Sequence, residues 1–158
     1  MATEAQFQFD AEPWQKILKE IEKKWDKVTA RKFGDIIAPT VFGDIMDHFS
    51  KEDGPDGRWK GWSATYAKHM ETIGKGGNKI LQDSGKLRMS FQPSDWKGQS
   101  DGILFVNKAH TKSGFPYAAA HDEGGPKLPQ RRFMWLSPRG MNKMIGIVEN
   151  WLADVGSE

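Results

Sequence analysis

The sequence predicts an α+β fold in which N-terminal helices precede a small antiparallel sheet and a C-terminal helix closes the chain. Three observations support this order. Apolar residues recur at three- and four-residue spacing in the first third of the chain and again at its end, as in amphipathic helices. Between these regions, short β-forming stretches are separated by glycine-rich turns. Helices and strands segregated in this way are typical of α+β domains.

The length of 158 residues suits one hydrophobic core, so we expect a single domain over 1–158. Within it we expect an N-terminal arm at 1–12, a helical region at 13–52, an α+β core at 57–137 and a closing helix at 138–155. Hydrophobic residues make up 37% of the chain, and none of its apolar runs approaches the roughly 20 residues of a membrane span. We therefore expect no membrane partner.

The N-terminus lacks the basic and apolar regions of a secretory signal, so we expect the chain to stay in the compartment where it is made. The absence of cysteine excludes disulfides and thiolate chemistry. A net charge of +2 is too small to indicate a dedicated nucleic-acid binder. Acidic residues prevail between 33 and 57, however, and every charge between 127 and 143 is positive. Such blocks suit self-association, although solvated faces explain them more simply.

The first helix is predicted by an apolar stripe from Trp14 to Val28. Pro13 fits its first turn, and Asp10 or Glu12 can accept hydrogen bonds from its free N–H groups. This stripe predicts a helix with one face buried.

A second helical pattern runs from Phe33 to Phe49 and contains Pro39. Because proline lacks an amide donor and clashes with the preceding turn, we expect a kink or break near Ala38, giving one bent helix or two short ones. The turn formers at 53–57 then end the helical region.

The middle of the chain predicts short elements. Ser63 can cap a helix that runs to about Met70, and a short helix is expected around Leu87. Two strands are predicted at 91–97 and 102–107, because a turn-rich stretch separates them.

The last third predicts one helical turn from Tyr117 that stops at Gly124, and then a strand at 132–136. Ser137 and Pro138 open the closing helix, whose apolar stripe faces the core.

Catalytic motifs are hard to find in this sequence. The glycine-rich loop at 74–77 lacks the spacing of a phosphate-binding loop. The strongest candidates are His110, His121 and Glu123, which suggest a metal-assisted hydrolase as an alternative function. His121 and Glu123 are two positions apart, however, and on a helix such residues point to different sides. We therefore expect no enzyme activity, no catalytic residue, no cofactor and no bound metal.

Aromatic residues offer a further alternative. Trp59, Trp62 and Phe115 carry faces that can stack on bases, as in a monomeric single-strand binder. Core or interface packing explains them more simply, because interfaces between subunits are enriched in tryptophan and arginine.

Three segments together carry a family resemblance. The first is the Trp-containing stretch at 57–63, the second is ILQDSGKLRMS at 80–90, and the third is YAAAHDEGG at 117–125 with LPQRRFMWLS at 128–137. In order and spacing they resemble the phage virion-morphogenesis proteins, the Mu-like neck and tail-completion proteins of tailed bacteriophages. In place of the Pro-Ala-Arg that precedes the aromatic residue in that family, this chain has Pro-Gln-Arg-Arg at 129–132.

The resemblance implies a structural virion protein at the head–tail junction. Many copies, a hexamer by family analogy, would form a ring around the DNA channel and join the head connector or portal adaptor to the tail terminator or tail tube. It also implies a location in the virion neck, and in the host cytoplasm during assembly. A tail terminator or an assembly factor is the nearest alternative role.

A ring of this kind uses contacts between unlike faces of neighbouring copies. We expect Trp59, Trp62, Phe133 and Trp135 to be core or interface anchors. Contacts to a neighbour, or non-specific contacts to DNA in the lumen, are expected from Arg131, Arg132 and Arg139.

Overall fold

The computed structural model describes residues 5–8, 27–92, 94–98 and 103–155. Its helices are α1 (Lys27–Lys51), α2 (Ala64–Thr72), α3 (Lys86–Met89), α4 (Tyr117–Glu123) and α5 (Pro138–Val155), and its strands are β1 (Ala5–Gln8), β2 (Asp53–Gly54), β3 (Gly57–Arg58), β4 (Trp96–Gly98) and β5 (Ile103–Asn107). This order of elements confirms the α+β fold. The helix predicted from Trp14 to Val28 lies outside the described residues, except for its last two positions.

Two small sheets are present in the described part of the chain. Strand β5 lies between β1 and β4, and it pairs with β4 antiparallel, with Trp96 opposite Phe105. Strands β2 and β3 form a short antiparallel hairpin over the predicted turn. The hairpin predicted at 91–97 and 102–107 is confirmed, but its first strand begins only at Trp96. Phe91 instead packs its ring on other aromatic residues, and Pro93 has no amide donor for a strand ladder.

Helix α1 is continuous through Pro39, so of the two alternatives the pattern forms one helix, and the alternative of two short helices is wrong. Proline removes the hydrogen bond to the carbonyl of Asp35, four residues earlier. Both Asp35 and Pro39 are exposed, so water can reach that carbonyl. The cost of the missing donor is therefore low enough for the helix to continue.

The chain divides into two compact units. The first unit contains residues 45–92 and 107–135, and the second contains residues 27–44, 94–98, 103–106 and 136–155, with Gln6 to Gln8. Among the residues described, none of the helices combines the length and apolar character that a membrane-spanning segment needs.

In the second unit, aromatic contacts join helices and sheet. Phe42 meets Phe105 edge to face, with ring centroids 5.6 Å apart, and Phe33 lies 5.8 Å from Trp151. Gly34 lets the indole of Trp96 approach the helix backbone, because a Cβ at this position would overlap the ring. Aromatic packing of this kind is a large contribution to core stability.

The start of α5 is held by Asp44. One oxygen of its carboxylate accepts the amide N–H of Ser137 and the other accepts the Ser137 hydroxyl, both at 2.6 Å. The Ser137 hydroxyl oxygen in turn accepts the amide N–H of Gly140 at 3.0 Å. This confirms that Ser137 opens the closing helix, and it adds a carboxylate from α1 to the cap.

The core of the first unit centres on Phe49, whose side chain is fully buried. Its ring centroid lies 5.2 Å from that of Phe133, 5.6 Å from that of Trp59 and 6.0 Å from that of Phe91. Offset and edge-on aromatic pairs at these distances are favourable beyond the area they bury.

The strand predicted at 132–136 is wrong, because this stretch has no strand structure. One oxygen of the buried Asp122 carboxylate accepts the amide N–H groups of Phe133 and Met134, both at 2.9 Å. These donors are therefore not available to a neighbouring strand. The segment is therefore a loop, and the Asp122 side chain holds its backbone.

Candidate functional site

The first unit carries a cleft of about 990 Å³. Its walls come from the loop after β3, from α2, from the segment around α3, from the loop before α4, from α4 itself and from the loop that follows it. These stretches include parts of all three segments that carry the family resemblance. The cleft therefore brings together residues that are widely separated in sequence.

The cleft is strongly basic. One carboxylate is found among its described lining residues, that of Asp83, and it pairs with Lys75 at 2.6 Å. Arg131 and five exposed lysines supply the positive charge: Lys60, Lys79, Lys86, Lys112 and Lys127. Cations gathered around a concave surface raise the local potential and attract anionic ligands.

Aromatic side chains form part of the cleft wall. Trp62 is half-buried, and Tyr66 meets it edge to face at 5.6 Å while 44% of its own surface stays exposed. Ser63 caps α2 by accepting the amide N–H of Tyr66 at 3.3 Å, as the sequence predicted. Helix α2 thus begins where it can present Tyr66 to the cleft.

Arg131 is buried within the first unit. Its Nε donates to the carbonyl of Lys60 at 2.9 Å, and its Nη2 donates to the carbonyl of Gly61 at 3.1 Å. Burial lowers the pKa of this guanidinium. Arg131 therefore fixes the loop that leads to Trp62, and it also lines the cleft. Arg132 and Arg139 are exposed.

The four predicted anchors separate into two kinds. Trp59 and Phe133 are buried, and the indole N–H of Trp59 donates to the carbonyl of Arg132 at 3.0 Å. Trp62 and Trp135 are half-buried. The ring of Trp135 stacks on His48 at 4.3 Å, and its buried indole N–H has no acceptor within the described part of the chain.

The candidate metal ligands are only partly brought together. His110 and His121 line the cleft, whereas Glu123 is exposed elsewhere on α4. Within the described ranges, no group of three histidine, aspartate or glutamate side chains is placed to hold a metal ion. Of the proposed stacking residues, Trp59 lies in the core, Phe115 is exposed outside the cleft, and Trp62 alone lines it.

Acidification should destabilise the fold through His121. Burial, and secondly the charge of Arg131, lower the pKa of this imidazole below its ordinary value of 6.5. The unfolded chain then binds a proton that the folded chain does not, so the free energy of unfolding falls as the pH drops below about 6.5. We expect His121→Gln to flatten this slope, measured by urea unfolding at several pH values between about 7 and 5.

The matched control is His69→Gln, which makes the same substitution at an exposed position on α2. Burial raises the pKa of the adjacent Asp122. The raised pKa of Asp122 gives the free energy of unfolding a pH slope of the opposite sign at lower pH. The test therefore compares the slope of His121→Gln with that of the wild type. Identical slopes in the wild type and His121→Gln would contradict the assignment.

Sequence reasoning missed the cleft itself. Its lysines stand at five places between 60 and 127, with no local cluster that would mark a binding surface. The buried role of Asp122 was also missed, since the sequence shows only an acidic pair at 122–123. Both features depend on contacts between distant segments.

Fold and cleft together define a small α+β protein with a basic, partly aromatic cleft in one of its two units. Comparison of the chain with family models, with curated proteins and with solved structures gives no significant match.

Proposed function

We propose that this chain is a structural subunit of the head–tail junction of a tailed bacteriophage. In this proposal, copies of the chain form a ring around the DNA channel between the head connector and the tail. The observation that carries the proposal is the resemblance of three segments, at 57–63, at 80–90 and at 117–125 with 128–137, to the phage virion-morphogenesis proteins. Together they cover much of the first unit.

The contacts within the first unit support this proposal. The polar groups of the first and third segments bond to each other: Trp59 donates to the Arg132 carbonyl, and Arg131 donates to the carbonyls of Lys60 and Gly61. Asp122 holds the backbone of the third segment. A common scaffold accounts for the sequence pattern that these segments share with the phage proteins. No catalytic role has to be assigned to the residues of the segments.

Contacts between copies are assigned to exposed and half-buried residues. Trp62 and Trp135 are the aromatic anchors, and Arg132 and Arg139 supply exposed positive charge. Much of the acidic block at 33–57 is used within the chain: Asp44 bonds to Ser137, Asp53 to His48, and Glu52 to the amide of Ile80. Charge complementarity in the ring therefore involves the exposed carboxylates of Asp35 and Asp56.

Electron cryomicroscopy of purified virions tests the proposal directly. We expect density for this chain as a ring around the DNA channel, between the head connector and the tail tube. A ring at the tail end only would identify a tail terminator. A chain that is absent from virions but needed for phage yield would be an assembly factor, and either result would overturn the proposal of a neck subunit.

Charge reversal tests the ring contacts. We expect Arg132→Glu combined with Arg139→Glu to reduce ring assembly and phage yield at least about tenfold, because like charges placed at an interface are strongly unfavourable. Lys68→Glu combined with Lys143→Glu changes the net charge equally at two other exposed positions and should leave both unchanged. Circular dichroism confirms that both variants are folded. Equal yields from the two variants would remove Arg132 and Arg139 from the interface.

A further inference from the structure

We propose that the cleft of the first unit binds single-stranded nucleic acid over a few nucleotides. In this arrangement bases stack on Tyr66, and phosphates lie against the lysines around it. The proposal does not depend on the ring, because every residue it uses belongs to one copy of the chain.

The first argument is uncompensated charge. Lys60, Lys86, Lys112 and Lys127 are exposed around the cleft, and none has a carboxylate partner among the residues that the structure describes. The carboxylate of Asp83 is paired with Lys75, which lies outside the lining. Repulsion among these cations is relieved by an anionic ligand, and phosphates neutralised by lysine release counterions on binding.

The second argument is the exposed aromatic surface between these charges. Tyr66 keeps 44% of its surface exposed although it lies next to the half-buried Trp62. An exposed ring among lysines is the combination that single-strand binding surfaces use, because every base offers a face for stacking.

The third argument is that the surface is held in place before any ligand arrives. Arg131 is 6% exposed, and its guanidinium donates to the carbonyls of Lys60 and Gly61, which holds this loop in place. Ser63 caps α2 and so fixes where Tyr66 stands. A preformed site loses less conformational entropy when it binds.

A single strand fits these observations better than the other polyanions. The bases of a duplex are stacked inside the helix, so they cannot reach aromatic rings in a cleft. An acidic peptide satisfies the lysines but makes no special use of the exposed ring. The volume of about 990 Å³ is at the upper end of the range of roughly 300–1,000 Å³ for small-ligand sites.

Fluorescence anisotropy of the full chain tests the proposal with three labelled probes: an oligothymidylate of about 12 nucleotides, a duplex of the same length, and poly-glutamate. We expect the single strand to bind at least about tenfold more tightly than the other two. Its affinity should fall steeply between about 50 and 200 mM salt. Poly-glutamate binding as tightly as the oligonucleotide would overturn the proposal in favour of an acidic peptide, and absence of oligonucleotide binding at low salt would overturn it outright.

Charge reversal at the cleft gives the second measurement. Lys86→Glu combined with Lys127→Glu should weaken oligonucleotide binding at least about tenfold and should reduce the salt slope by about 1.4, since each lost phosphate contact on a single strand contributes about 0.7. The matched control is again Lys68→Glu combined with Lys143→Glu, which lie outside the cleft lining and change the net charge equally. Equal losses in both variants would show general attraction by net charge and would overturn the site.

Tyr66 separates stacking from charge. Tyr66→Ala should weaken binding about tenfold with the salt slope unchanged, whereas Tyr66→Phe keeps the ring and should bind like the wild type. Thermal unfolding of each variant shows that the fold is retained. If Tyr66→Ala bound the oligonucleotide as tightly as the wild type, this would contradict stacking of bases on Tyr66. These readings use the isolated protein, so they can fail while the ring is found in virions, and the reverse also holds.

Discussion

Replacing Asp122 with alanine should lower the free energy of unfolding by about 2–4 kcal/mol. The change leaves the amide N–H groups of Phe133 and Met134 without the carboxylate that accepts both of them at 2.9 Å. Each buried donor that loses its partner costs about 1–3 kcal/mol, and release of the buried carboxylate offsets part of the sum. Urea unfolding followed by circular dichroism measures the change.

The adjacent Glu123 provides the control, because it is exposed and belongs to the same helix. Glu123→Ala should change the stability by no more than about 0.5 kcal/mol. Asp122→Asn keeps an acceptor oxygen and should fall between the two. If Asp122→Ala were as stable as Glu123→Ala, the carboxylate would not be what holds residues 133–134 in place.

Truncating Phe49 should have the other large effect. Its fully buried ring touches those of Trp59, Phe91 and Phe133, so Phe49→Ala removes the centre of the aromatic core of the first unit. Replacing a buried phenylalanine with alanine costs about 3–5 kcal/mol, since the neighbours close only part of the cavity. We expect the thermal midpoint to fall accordingly, as measured by differential scanning calorimetry.

Phe115 offers the same substitution at an exposed position. It is 47% exposed, and Phe115→Ala should stay within about 0.5 kcal/mol of the wild type. A similar loss in both variants would mean that the Phe49 ring contributes no more than a surface phenylalanine, which contradicts the aromatic core described above.

Elements with local signals were predictable from the sequence. Ser63 and Ser137 mark the starts of α2 and α5 through short-range hydrogen bonds to N–H groups three residues ahead. Pro39 shows the limit of predictions from local sequence. Its effect on α1 depends on whether water can reach the carbonyl of Asp35, which lacks a helix hydrogen bond. Exposure of that position is a property of the packed structure.

The site was less predictable, because its parts are joined by contacts across many residues. The bond from Trp59 to the Arg132 carbonyl spans 73 positions, and those from Arg131 to Lys60 and Gly61 span 71 and 70. The sequence led us to expect a contact between Arg131 and a neighbouring copy or DNA, but it gave no sign that the guanidinium bonds to the loop at Lys60 and Gly61. Neither periodicity nor spacing carries that information.

The division of the chain into two units also bears on how the protein reaches its folded state. Each unit is assembled from stretches far apart in the sequence, and one of the points where the chain passes from one unit to the other lies within α1, between residues 44 and 45. Neither unit can therefore be produced as one uninterrupted fragment. A fragment made by cutting the chain at any single position lacks part of at least one unit. Distant stretches must meet before either core is complete. The chain therefore loses the entropy of closing these loops before most of the stabilising contacts of the core form. Such topologies fold more slowly than helical bundles of similar size, and they leave partly formed cores exposed for longer during synthesis.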